Sequence, residues 1–298
     1  MKTAACISLG LTCVLLPVTS SESSVLYEDQ SLYHYIRVEE SGPVRTLLFR
    51  RRGSDYDESV VDTAEPLRLV MYYSRLMYAG LLFTPEPKRV LVVGLGGGTL
   101  SRVTAHYFPE ADVDSIELDP EVAKLAKKYF LFRETQHVRL FVRDGRVHVK
   151  SLTRGNTKYD IIMLDAFRGG YIPYHLTTKE FLEECRSILS PNGVVVANLR
   201  PGFLLYEYQR RTFAKVFKSQ YAFGGGSNKI LVACFEKTSL TEQELKERAA
   251  KLQERHDFSF DMKSIASEYD PEIDYPTAGE ILVDGYAPAN ILRTQPLR

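Results

Sequence analysis

The sequence has no tryptophan and only four cysteines in 298 residues, and two of those, Cys6 and Cys13, fall within the first twenty. The remaining pair, Cys185 and Cys234, is too few for a disulfide scaffold. Each lies in an apolar segment, so the default reading is two buried thiols, with pairing open only in an oxidising compartment. No CxxC and no His-rich ligand spacing occurs, so no metal site is expected. A surplus of charge is also missing, because 38 Lys and Arg balance 38 Asp and Glu. Without a basic excess, nucleic acid is not an expected partner. The single arginine triplet, Arg50 to Arg52, reads as a solvated strand end. Internal repeats and low-complexity tracts are absent, which excludes collagen-like and disordered classes. What is present is 44% hydrophobic residues, enough for one large domain and a small one without covalent staples.

Residues 1–20 stand apart from the rest. Lys2 is their only charge, Ala4 to Val18 is almost wholly apolar or small, and Val18-Thr19-Ser20 precedes a polar segment. An apolar core of about 15 residues is short for a bilayer of about 30 Å, so the pattern reads as a secretory signal peptide. Its removal near Ser21 would leave an exported chain without an integral span. An uncleaved anchor, or a start codon assigned too early, would keep the protein membrane-bound or cytoplasmic.

From Val25 to about Val61 short alternating runs predict a small antiparallel meander, giving an N-terminal β domain over 21–66. Leu67 to Phe83 has apolar residues at helical spacing and stops at Thr84-Pro85-Glu86-Pro87. From Lys88 apolar strands alternate with helices: RVLVVGL, Thr99–Tyr107, DVDSIEL, Pro120–Tyr129, HVRLFVRD, Gly145–Leu152, YDIIMLD, Thr178–Leu189 and GVVVANL. This is the signature of a doubly wound α/β fold, a mostly parallel sheet covered on both faces. Phe203–Phe217 reads as a further helix, KILVACFE as a strand closing the sheet in the antiparallel sense, and Thr241–Arg255 as a charged amphipathic helix. The α/β domain is expected to span 67–298. Tyr221 to Gly226, ending in three glycines, reads as a bulged hairpin or a flap.

In such sheets ligands lie beyond the carboxyl ends of the strands. Four of those ends carry candidate residues. The turn Gly94-Leu95-Gly96-Gly97-Gly98-Thr99 lets a backbone approach a ligand closely, with Gly94, Gly96 and Gly98 as the lining positions. Glu117, about twenty residues beyond the turn, is placed to accept both hydroxyls of a ribose. Asp144-Gly145 offers an acceptor for an exocyclic amine such as that of adenine, and equally an N-cap for the next helix. Asp165, ending an apolar strand, is an acid/base candidate. Nothing basic accompanies the glycines to hold a pyrophosphate, which favours a methionine-linked nucleoside over NAD. Tyr72 and Tyr73 sit on an otherwise apolar helix and read either as core residues or as hydroxyls at a site rim. His175 reads as a loop or capping residue, and Asp284 with Tyr286 as a closing or a pinning segment.

Several of these motifs together resemble the polyamine aminopropyltransferase family, whose best-known member is spermidine synthase. They are Ser31-Leu32-Tyr33-His34-Tyr35-Ile36, Tyr72, PEPKRVLVVGLGGGT, SIELDP, RDGR and YDIIMLDAF, and they span about Leu26 to Gly193. The resemblance implies a β domain on an S-adenosylmethionine-dependent methyltransferase-like α/β domain, assembled as a homodimer. It implies that Glu117 holds the ribose, that Asp144 and Gly145 sit at the adenine end, and that His34 stands where the family has a nucleoside-binding glutamine. Asp165 falls on the catalytic aspartate, with Tyr72 assisting. No permanently bound cofactor is implied. The co-substrate would be decarboxylated S-adenosylmethionine, or S-adenosylmethionine itself. A small-molecule amine or other nucleophile would attack beside its sulfonium and release methylthioadenosine.

Two departures set the chain apart within that resemblance. The family's glycine loop reads GGGDGG where this chain has Gly97, and its DSSDP reads here as Asp165-Ala166-Phe167-Arg168, with Arg168 expected on the substrate side. Glu58, near a substrate-side glutamine of the family, is the candidate replacement carboxylate. The Asp-Ala-Phe variant resembles a spermidine-synthase-like branch often fused to membrane segments. Methyl transfer to an acceptor with an anionic group, and a catalytically silent envelope protein that keeps the fold, are the competing readings.

Overall fold

The computed structural model describes residues 23–51, 53–166 and 172–285. The core of the first sheet follows from its alternation: Val38, Leu47 and Val61 are buried while the residues between them are less so. β1 (Ser24–Gln30), β2 (Tyr35–Ser41), β3 (Val44–Arg51) and β4 (Ser54–Asp62) pair antiparallel in chain order. Their apolar face meets Val122 and Leu125 of α3 (Pro120–Tyr129) and Phe130 just beyond it. Each such side chain contributes on the order of 2 kcal/mol by leaving water. Polar stitches join the two units: Ser31 hydroxyl to the buried Asp119 carboxylate, and Gly97 N–H to Ser59 Oγ at 2.8 Å. Asp119 also caps α3 by accepting from Glu121 N–H at 2.9 Å.

The region expected to be one helix over Leu67–Phe83 is broken into two kinds of turn. α1 (Tyr72–Leu76) gives way to a 3₁₀ segment, Met77–Leu82, all six residues of which are buried. The cause is direct backbone packing: a Cβ on Gly80 would lie 2.7 Å from Val196 Cγ2, so this segment lies flush on the sheet with no room for a polar face. The register this sets turns Tyr73 inward and leaves Tyr72 half exposed.

The second sheet has eight strands, and its parallel part is as the sequence implies. β5 (Arg89–Val93), β6 (Asp112–Glu117), β7 (Val138–Val142), β8 (Tyr159–Leu164) and β9 (Leu189–Leu199) are parallel, in the spatial order β9-β8-β5-β6-β7. β10 (Ser219–Phe223) and β11 (Lys229–Cys234) form the antiparallel hairpin that extends it, and β12 (Tyr269–Asp270) ends it. The hairpin turn carries Gly224 and Gly226 at positive φ, so Tyr221–Gly226 is hairpin and turn. β5 buries both faces, Val90 and Val92 toward one cluster, Leu91 and Val93 toward the other. α2 (Thr99–Tyr107), α4 (Gly145–Leu152), α5 (Lys179–Ser187), α6 (Tyr206–Val216), α7 (Glu242–Arg255) and α8 (Met262–Ser267) complete the α/β unit. α6 starts three residues later than its periodicity suggests, because Gly202 at positive φ opens a turn there. Cys185 and Cys234 are free, buried thiols in different core clusters. Residues 1–22, including Cys6, Cys13 and the expected leader, lie outside the described residues, and among the described ones no helix is long and apolar enough to cross a membrane.

Candidate active site

The chain runs outward from β5 to β6 and β7, then returns to place β8 on the other side of β5. The reversal between β5 and β8 opens a crevice at their carboxyl ends. There Gly94 at φ 99° lies against Asp165, where a Cβ would be 2.5 Å from the Asp165 carbonyl oxygen. Only a glycine lets the two strand ends approach so closely. The resulting hollow, about 820 Å³ of unfilled space including its open mouth, brings together Glu58, Glu117, Asp144 and Asp165.

Each carboxylate is held differently. Glu117 Oε2 accepts from Leu95 N–H at 3.1 Å and Gly96 N–H at 3.4 Å, and Oε1 from Asp119 N–H at 2.9 Å. It thus knits the glycine turn to β6, while burial pushes its pKa up against those hydrogen bonds. Asp144 takes the capping role: Oδ1 caps α4 by accepting from Val147 N–H at 2.9 Å, while Oδ2 faces His175 Nε2 at 2.9 Å beside the hollow. Asp165 accepts from Asn198 Nδ2 at 2.9 Å and from the Tyr73 hydroxyl at 3.1 Å. Asn228 Nδ2 in turn donates to Asn198 Oδ1 at 2.9 Å, which fixes the amide's orientation. Burial raises the Asp165 pKa to about 7 despite both donors. Glu58 is also raised to about 7, first by burial and then by the charge of Asp165, with Arg200 opposing.

The position of Glu58 depends on a backbone irregularity. Leu47 pairs with Ser59 and Leu48 with Asp57, so Glu58 is the extra residue of a β-bulge in β4. A bulge re-aims a side chain, and here it delivers a carboxylate from the small sheet into the hollow of the large one. His34 enters from the same sheet, its ring stacked on Phe49 at 4.1 Å and 12°. Gly94, Gly96 and Gly145 line the hollow, whereas Gly98 stands behind it as the left-handed residue before α2.

Tyr72, expected beside Asp165, is not in this hollow. It hydrogen-bonds Glu268 and lines a separate surface groove, and Tyr73 holds the place next to Asp165. Arg168 lies outside the described residues, as does Tyr286. Asp284 pins the tail, accepting from Arg146 Nη1 at 2.6 Å and from Thr178 Oγ1 at 2.8 Å. His175, read as a loop or capping residue, lies in the short 3₁₀ turn Tyr174–Leu176 and faces Asp144 at the rim. Sequence reasoning passed over Asn198, Ser59 and Arg143. Asn198 had a usable signal, a polar residue ending the apolar run VVVAN. The position of Gly97 is also explained: a Cβ there would lie 2.9 Å from the Phe130 ring, so an aspartate has no room. Among the described residues no group of three His, Cys, Asp or Glu is placed to hold a metal ion.

The profile of the spermine/spermidine synthase domain matches residues 69–223, more than half of the chain. The chain belongs to the spermine/spermidine synthase family. A polyamine aminopropyltransferase from Vibrio vulnificus is 35% identical over 291 residues, covering 95% of this chain and 97% of the relative. A probable spermidine synthase from Corynebacterium glutamicum shares the fold with a TM-score of 0.65 at 21% identity, over 86% of this chain and 98% of that one. Human methyltransferase-like protein 13, solved with SAH, is 27% identical with a TM-score of 0.56, over 68% of this chain and 96% of that one. For this member of the synthase family, the hollow at the β5–β8 reversal is therefore the natural candidate site.

Proposed function

We propose that the protein transfers an aminopropyl group from decarboxylated S-adenosylmethionine to an amine. The observation that carries this reading is the convergence of Glu58, Glu117, Asp144 and Asp165 on one hollow beside the glycine turn. Four acidic groups facing Arg143, His34 and His175 favour a cationic guest. In this reading Glu117 takes the ribose hydroxyls, Asp144 with Gly145 borders the adenine, and His34 with Phe49 forms an apolar wall. Gly94 and Gly96 let the nucleoside lie close to the backbone.

Chemistry falls to Asp165 and Tyr73. An amine arrives protonated and cannot attack until it loses a proton, and a carboxylate with a pKa of about 7 is a base matched to neutral pH. The amine lone pair forms the C–N bond, the C–S bond breaks, and the sulfonium leaves as the thioether methylthioadenosine. Asp165 takes the proton while Tyr73 and Asn198 keep its oxygens in line. Glu58 supplies a second carboxylate on the acceptor side, compensating for the one excluded at Gly97.

Calorimetry with methylthioadenosine and steady-state assays with Asp165→Asn test this reading. We expect nucleoside binding to persist in the variant while turnover falls about 10²–10⁴-fold. Absence of nucleoside binding to folded protein overturns it. Methyl transfer is the second reading, favoured by the likeness to methyltransferase-like protein 13. Turnover with S-adenosylmethionine but not with its decarboxylated form would establish it. Methionine-derived nucleosides are cytoplasmic metabolites, so transfer further requires a pool of the chain in that compartment, whatever becomes of residues 1–20.

A further inference from the structure

Asp144, at the end of the hollow assigned above to adenine, is held at both of its oxygens. Oδ1 accepts from Val147 N–H at 2.9 Å, and Oδ2 faces His175 Nε2 at 2.9 Å. The side chain is partly in water, so a single hydrogen bond would leave the carboxylate free to turn about its last bond. Two bonds, one on each oxygen and from different elements, fix its plane. Each carboxylate oxygen has two lone pairs, so Oδ2 keeps one for a further donor. Because a carboxylate only accepts, the imidazole meets it with a proton on Nε2, and it takes the place that water would otherwise fill on that oxygen.

His175 is itself fixed from behind. It occupies the middle of the 3₁₀ turn Tyr174–Leu176, in which Leu176 N–H donates to Pro173 O at 2.9 Å. The Tyr174 hydroxyl donates to Val283 O at 2.7 Å. Arg146 Nη1 reaches the His175 carbonyl at 3.4 Å and Asp284 Oδ1 at 2.6 Å, so the turn is tied to the segment at Val283 and Asp284. Leu176 closes against Gly145, where a Cβ would lie 3.6 Å from its Cδ2. Pro173, His175 and Leu176 therefore enter the hollow together, beside Asp144 and Gly145.

A fixed acceptor discriminates between bases. The 6-amino group of adenine donates a hydrogen bond, whereas the 6-oxo group of hypoxanthine presents a lone pair to the same spot and is repelled. Such discrimination needs an acceptor that neither swings away nor takes up water instead. We propose that His175 is a positioning residue that makes Asp144 selective for a 6-aminopurine, by orienting its carboxylate and shielding it from water. The inference rests on the nucleoside half of the reading above and adds how the base is chosen.

5′-Methylthioadenosine and 5′-methylthioinosine form a matched pair for the test, each titrated by calorimetry. The wild type should bind the adenine compound tighter by about tenfold or more. His175→Ala should weaken that binding about five- to tenfold and leave the inosine compound within about twofold. His175→Gln, which carries an N–H donor at similar reach, should recover most of the ratio. Asp144→Asn keeps a good N-cap but replaces the carboxylate by an amide, and should collapse the ratio. Adding His175→Ala to it should cost nothing further, because His175 acts only through the carboxylate. If His175 merely stabilises its turn, both ligands weaken alike in His175→Ala and the loss recurs in the Asp144→Asn background; either result overturns the proposal. Tighter adenine binding in His175→Ala overturns it too, since His175 would then compete with the ligand for Asp144. Equal wild-type affinity for the two compounds defeats this inference and leaves the transfer reading standing, whereas no binding of methylthioadenosine to folded wild type defeats both.

Discussion

Asp165 and Glu58 are carboxyls whose pKa values burial raises to about 7 from ordinary values of 3.8 and 4.5. Two consequences of opposite sign follow. In its proposed role as the base Asp165 must be ionised, so kcat/KM should climb as pH rises through about 7 and level off above it. For stability the unfolded chain ionises both groups near pH 4, while the folded chain holds their protons until about 7. The folded state therefore binds more protons across that window, and stability should decline as pH rises through it. Urea midpoints at pH 5 and pH 8 measure the decline, and Asp165→Asn should reduce it. A midpoint that does not fall toward pH 8 would show that the two carboxyls are not buried as described. This conflict between stability and ionisation is what a positively charged guest relieves, which links the residue's strain to its use.

Two adjacent tyrosines on one short helix make the test at the scale of elements. Tyr73→Phe removes a donor to Asp165 and should reduce turnover about tenfold, the worth of one hydrogen bond near 1.4 kcal/mol. Tyr72→Phe, which loses only its contact with Glu268, should stay within about twofold in the same assay. Read from the residues the two tyrosines were equivalent, and only the family resemblance singled out Tyr72, whereas the structure places Tyr73 against Asp165. Helical spacing over Leu67–Phe83 describes an ideal α-helix, whereas the flush contact of Gly80 with Val196 tightens the second half into 3₁₀ geometry. Long-range packing decides that register, and no local signal carries it. Glu117, Asp144 and Asp165 were legible because each ends an apolar strand, where topology alone fixes the neighbourhood. Glu58 was legible only through family resemblance, since the bulge that aims it depends on how β3 and β4 slip past each other. Asn198 was legible in principle by the logic that found Asp165.

Across the whole molecule, the segment from Asp270 to Asp284 is strapped along the sheet and helices by cations. Lys229 Nζ bridges Asp270 at 2.6 Å and Asp274 at 3.0 Å, Arg210 holds Asp274 at 2.7 Å, and Arg146 holds Asp284. Lys229 is 5% exposed, so Lys229→Met leaves two carboxylates without their central partner. We expect a loss of about 2–3 kcal/mol, scaled down from a fully enclosed pair because both aspartates reach water. Chemical denaturation measures it, and a change below 0.5 kcal/mol, roughly the level of an exposed pair, would show the strap to be superficial. A different consequence attaches to the seam between the two sheets, closed by Ser31 on Asp119 and by Ser59 on the Gly97 amide. Because the meander supplies one wall of the crevice and the wound sheet supplies the floor, neither half can be exchanged with that of a relative as a ready-made cassette. A chimaera would inherit recognition only if its crossover kept both serines matched to the aspartate and the glycine they were moulded against.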